Sequence, residues 1–254
     1  MELPFPFAPK SKLASISLWL YCLVFIILAQ AEEGGLNIFV FYWVMISAVL
    51  FWIGTVGFEN IVDKLGLDVN GQYWRYPVYI CLGLLSGHLM FLWAKNRLMS
   101  LAIFPLPLSF KLSMSLLTSP PVVRALSVFV NSFSEEVLKM GFGMINANWI
   151  AKDYKKSKEE AILFGFLIAT IQWSLLHLGW GVNIMSYLFT VAIGTLWFMI
   201  GMIFYFMKRT PLYFGEIVIV TPIFAHWIWN MDVLSFQEAG KSLFATAIMS
   251  LWGW

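Results

Sequence analysis

Two adjacent glutamates, Glu135 and Glu136, interrupt the apolar run NSFSEEVLKMGFG, and Lys139 follows one helical turn later. His177 lies in QWSLLHLGWG, and His226 and Asn230 lie in PIFAHWIWNMD. Side-by-side carboxylates in a low-dielectric setting repel, so one is expected to carry a proton while the other is ionised. An ionised glutamate beside a neutral histidine can take a proton from water, which is general-base catalysis. A second histidine and an amide one turn away can donate hydrogen bonds to a developing oxyanion. Together these parts suit hydrolysis of a carbonyl compound, most simply a peptide bond, without a covalent nucleophile. Ser132, Ser134 and Ser174 are nearby hydroxyls, but no GxSxG turn or Ser–His–Asp order accompanies them. Two histidines and two glutamates could also bind zinc, although HExxH is absent.

The spacing is informative. Glu135 and Lys139 are four apart and can pair, and His226 and Asn230, also four apart, present two polar groups on one face. Glu136 lies about 100° round the helix from Glu135. Glu135, His177 and His226 stand 17, 19 and 17 residues from Lys152, Lys158 and Arg209. At 1.5 Å per residue, three helices place a polar group roughly 25–29 Å from the basic loops. His88, in LLSGHLMF, is expected to be a packing residue that donates to a backbone carbonyl.

The elements that must carry this set are hydrophobic. The chain has 254 residues, 60% of them hydrophobic and 12% charged, with a net charge of +2. That is about half the charge of a soluble domain, so lipid is expected to cover much of the outside. Aromatic residues make up 18% and include 13 tryptophans, as suits lipid–water interfaces. The small net charge and the lack of a basic stripe argue against nucleic acid as a partner. Cys22 and Cys81 both lie in apolar runs and are expected to be buried and reduced. The prolines of MELPFPFAPKSKL and the lack of a cleavage site argue for a retained first helix over a signal peptide.

Apolar runs long enough to span occur at 15–31, 37–57, 76–94, 98–117, 122–150, 160–178, 184–207, 214–231 and 242–254. Pro105, Pro107 and Lys111 break the fourth. The fold expected is all-α: a polytopic bundle of about seven or eight transmembrane helices in a single domain, 1–254. Within it, 1–121 is generic, 122–231 bears the motifs, and 232–254 is a C-terminal helix. The basic loops Lys152–Lys158 and Lys208–Arg209 are expected on the cytoplasmic side of the plasma membrane.

At the polar residues the chain resembles the membrane glutamic protease superfamily. That group includes type II CAAX prenyl endopeptidases, bacteriocin-processing and immunity proteins, and the anti-sigma-factor protease PrsW. The pattern EExxxR, FxxxH, HxxxN/D finds counterparts in Glu135-Glu136 with Lys139-Met140, in Trp173 to His177, and in His226 to Asn230. Met140 takes the arginine position, and the EExxK form resembles PrsW. The match covers 131–231. It implies that Glu135 and His177 activate water, that His226 and Asn230 form the oxyanion site, and that Glu136 tunes Glu135, with Lys139 and Trp173 in support. It implies no cofactor and no metal. The implied partners are membrane lipid and a membrane-associated or lipidated peptide. Two other functions fit the same residues: a non-catalytic scaffold or immunity factor of this fold, and a proton-coupled transporter using the glutamates and histidines as a relay.

Overall fold

A computed structural model of the chain describes residues 11–31, 73–98, 119–177, 191–199 and 220–239, with single positions at 46 and 188. Among the described residues all regular structure is helical. In chain order the helices are α1 (Ser11–Ala31), α2 (Arg75–Leu98), α3 (Pro121–Asp153), α4 (Lys158–Leu176), α5 (191–199) and α6 (Val220–Ala239). The spans expected at 37–57, 98–117 and 242–254, and most of 184–207, lie outside the described residues, apart from position 46. The boundary expected at 231/232 falls inside α6.

Local sequence explains the ends of the central pair. Pro121 occupies the first turn of α3, where its fixed φ suits a helix and its missing N–H has no intrahelical partner to lose. The helix then runs for 33 residues, about 50 Å. It stops at Tyr154, and Lys155 takes a left-handed φ of 50°. Ser157 then opens α4 with a capping box: its hydroxyl accepts from Glu160 N–H at 3.2 Å, and its own N–H donates to Glu160 Oε2 at 3.1 Å. So short a connection makes α3 and α4 antiparallel neighbours.

Small residues set how closely the helices approach. On α2, Gly83 and Gly87 are four apart and lie against α6. A Cβ on Gly83 would sit 2.6 Å from Thr221 O, and one on Gly87 would strike the Ala225 carbonyl. This is the small-xxx-small geometry that brings helix backbones together in membranes. Gly165 of α4 likewise faces the Ala147 backbone of α3. One apolar cluster joins the helices, with Cys22, Phe91, Phe142, Trp173, Trp197 and Trp229 among its members.

The distribution of polarity is inside out. Ser132, Glu135, Glu136, Lys139, Asn146 and Asp232 are buried, whereas Leu20, Leu23, Ile27, Leu89, Trp93 and Leu126 are exposed. Cys22 is buried as expected, but Cys81 is exposed, because it falls on the outward face of α2. Among the described residues two helical segments, Arg75–Ala94 and Lys158–Leu176, are long and apolar enough to cross a membrane. The polar helices α3 and α6 are not among them.

Candidate functional site

Glu135 and Glu136 sit in the middle of α3 and turn into the bundle, where they are 3% and 2% exposed. Successive residues diverge round a helix, so the two carboxylates meet different partners. Glu135 Oε1 accepts from Asn131 Nδ2 at 2.7 Å, one turn earlier. Its Oε2 accepts from Trp173 Nε1 of α4 at 3.0 Å. The same Oε2 lies 4.0 Å from His177 Nε2 and 3.8 Å from His226 Nε2. Glu135 is therefore held from two sides and faces two imidazoles from two further segments.

Glu136 accepts from the Lys139 ammonium at both oxygens, at 2.8 and 2.6 Å. The i,i+4 pair expected between Glu135 and Lys139 is thus replaced by an i,i+3 pair with Glu136. Lys139 Nζ also lies over Trp173 at 5.0 Å and over Trp197 at 5.6 Å, so two aromatic faces flank the ammonium that Glu136 holds. Glu136 Oε1 also lies 3.0 Å from His226 Nδ1. An ionised carboxylate only accepts, so Nδ1 donates to it. In the neutral ring Nε2, which faces Glu135, is then a lone pair; in the imidazolium it is an N–H.

The histidines are further fixed by rings. Trp173 packs edge-on against His177 at 4.7 Å, as the one-turn spacing requires, and edge-on against His226 at 5.8 Å. Trp197 stacks on His226 at 4.4 Å between centroids. Asn230 lies one turn beyond His226 and donates from Nδ2 to Ser132 Oγ at 3.2 Å. Its second amide hydrogen remains for another acceptor. The structure therefore brings Glu135, Glu136, His177 and His226 to one place and sets Asn230 on Ser132, one turn of α3 away. Among the described residues no set of three His, Cys, Asp or Glu side chains is arranged to hold a metal ion.

His88 differs from its expected role. Its Nδ1 is 2.6 Å from Asp232 Oδ2, both groups are buried, and the pair joins α2 to α6. Asp232 shows no surface exposure and was not singled out in the sequence, because it follows the motif on α6 at a site reading as a helix end. Two more partners of the site lie outside the motifs. Asn131 was legible in principle, four residues before Glu135. Trp197 was not, since only folding brings its segment to His226.

Comparison of the chain with protein-family models, with curated proteins and with solved structures finds no match.

Proposed function

We propose that this is a multi-pass membrane protein of the glutamate-type protease class, cutting a peptide bond in a membrane-associated or lipidated substrate. The observation that carries the proposal is the convergence on one carboxylate oxygen, Glu135 Oε2, of imidazole nitrogens from His177 and His226 at 4.0 and 3.8 Å. A water about 2.8 Å from Glu135 Oε2 and from His177 Nε2 completes a triangle on the 4.0 Å base. Asn131 and Trp173 hold the carboxylate still while it works.

The water oxygen attacks the carbonyl carbon as its proton passes to Glu135, with His177 sharing the charge. The oxyanion receives Nε2–H of His226 in its imidazolium form, whose Nδ1–H is anchored on Glu136, and the free amide hydrogen of Asn230. The C–N bond then breaks, and the proton held at Glu135 goes to the leaving amine. Inward polar groups and outward apolar faces support a site placed within a lipid-embedded bundle. No cofactor enters the scheme.

The test uses the full chain in detergent micelles with internally quenched peptides, each carrying an apolar anchor or a lipidated cysteine. Glu135→Gln and His177→Ala are expected to abolish cleavage, at least 100-fold, while helix content and thermal unfolding stay close to wild type. Normal cleavage by both variants would remove the proposal.

A further inference from the structure

Trp197 lies on α5, outside every motif that suggested the site, yet it touches two of the site's charged or chargeable groups. Its ring is 4.4 Å from the His226 ring, with the planes 28° apart. The Lys139 ammonium lies 5.6 Å from its centroid. Trp173 and Trp229 grip it at 6.4 and 6.1 Å. Three residues earlier Gly194 faces Trp173, where a Cβ would come within 2.7 Å of the indole Cζ3. The missing side chain at Gly194 is what lets α5 come close enough for Trp197 to reach His226.

A packing role alone explains this residue poorly. Trp197 is 2% exposed, and its Nε1 has no hydrogen-bond partner among the described residues. A buried, unpaired donor is a net cost, and a phenylalanine or leucine would fill core space without it. What the indole adds is a broad electron-rich face, the best of the aromatic faces for a cation. Two groups that carry or can carry positive charge, Lys139 and His226, lie on or near it.

We propose that Trp197 is a positioning residue for His226: its indole face fixes the imidazole plane so that Nδ1 meets Glu136 and Nε2 meets the Glu135 side. Without that face the ring can turn about its Cβ–Cγ bond, which puts Cδ2 and Cε1 where Nδ1 and Nε2 stood and takes both nitrogens away from the carboxylates. The catalytic consequence rests on the proposed function above, but the geometry does not, so the two are tested separately.

The first readout is independent of activity. The chain has three histidines, so ring-nitrogen NMR of ¹⁵N-histidine-labelled protein resolves His226, assigned by its loss in His226→Gln. Wild type and Trp197→Phe are expected to show one ordered His226 ring with Nδ1 protonated. Trp197→Met, which fills space without a face, is expected to show averaged nitrogens. The second readout is cleavage of the quenched peptides: Trp197→Met is expected to lower kcat about tenfold with KM little changed, and Trp197→Phe to restore most of it. If His226 is equally ordered in Trp197→Met, the proposal is overturned. Should that variant not fold, Trp197→Phe decides: an ordered ring supports the role, and an averaged one overturns it, because a face remains. If Trp197→Met disorders His226 while Glu135→Gln still cleaves, the positioning role stands and the protease proposal falls.

Discussion

In the motif FxxxH the first position is aromatic, and Trp173 occupies it here. The structure gives the indole a task that a phenyl ring lacks, since Nε1 donates to Glu135 Oε2 at 3.0 Å. Trp173→Phe should keep the ring against His177 and remove only that bond. A buried carboxylate oxygen that loses a donor costs roughly 1–3 kcal/mol, and the orientation of Glu135 loosens with it. The expected outcome is a fall in kcat of about tenfold or more with KM nearly unchanged, measured on the quenched peptides. An equal rise in KM at constant kcat would mean that Trp173 serves binding instead. The types and spacing of Glu135, Glu136, His177, His226 and Asn230 were legible from the chain because charge in an apolar run has few explanations. Which glutamate took Lys139 was not. Both spacings are allowed on a helix, and the Trp173 and Trp197 faces that flank the ammonium arrive from other elements.

At the scale of elements, α6 is pinned from both sides. Its His226 and Asn230 face α3, and its Asp232 faces α2 through His88. The helical periodicity around His226 and Asn230 could be read from the chain. Asp232 could not be paired from sequence, because its partner lies 144 residues earlier. The same holds for the buried relay in which Ser15 Oγ donates to Asn146 at 2.6 Å and Asn146 Nδ2 donates to Gln172 at 2.8 Å, tying α1, α3 and α4 together. Removing one partner of a buried pair leaves the other charge or dipole stranded. His88→Leu should therefore destabilise the fold by about 3–5 kcal/mol. His88→Leu combined with Asp232→Leu should recover part of that loss, because the buried carboxylate that lost His88 is then removed as well. Thermal or denaturant unfolding in micelles checks this. A double variant no more stable than the single one would mean that the helices are set by the Gly83–Gly87 face and not by the pair.

On the scale of the whole molecule, hydropathy and function pull against each other. Among the described residues only Arg75–Ala94 and Lys158–Leu176 pass as spans by length and composition. Helices α3 and α6 fall short, and they carry the buried Glu135, Glu136, Lys139, His226 and Asp232. Their polar residues lower the apolar signal while being covered by neighbours, which a count along the chain cannot register. The polarity itself was legible: the basic cluster Lys152, Lys155, Lys156 and Lys158 sits at the turn between α3 and α4, where short-loop charge sets orientation. Because α3 is unbroken from Glu135 to Lys152, 17 residues of helix separate the site from that turn by about 25 Å, most of the ~30 Å hydrocarbon thickness. In the proposed orientation the turn is cytoplasmic and the site lies toward the far leaflet. A cysteine introduced by Lys156→Cys into a Cys81→Ala background tests it, since Cys22 is buried. A membrane-impermeant maleimide should label it in opened cells and not in intact ones, while alkaline carbonate should leave the protein in the membrane fraction. Labelling of intact cells would invert the molecule and place Glu135 nearer the cytoplasmic leaflet. Release by carbonate would remove the multi-pass proposal itself, and with it the reason for the apolar surfaces of α1, α2 and α4.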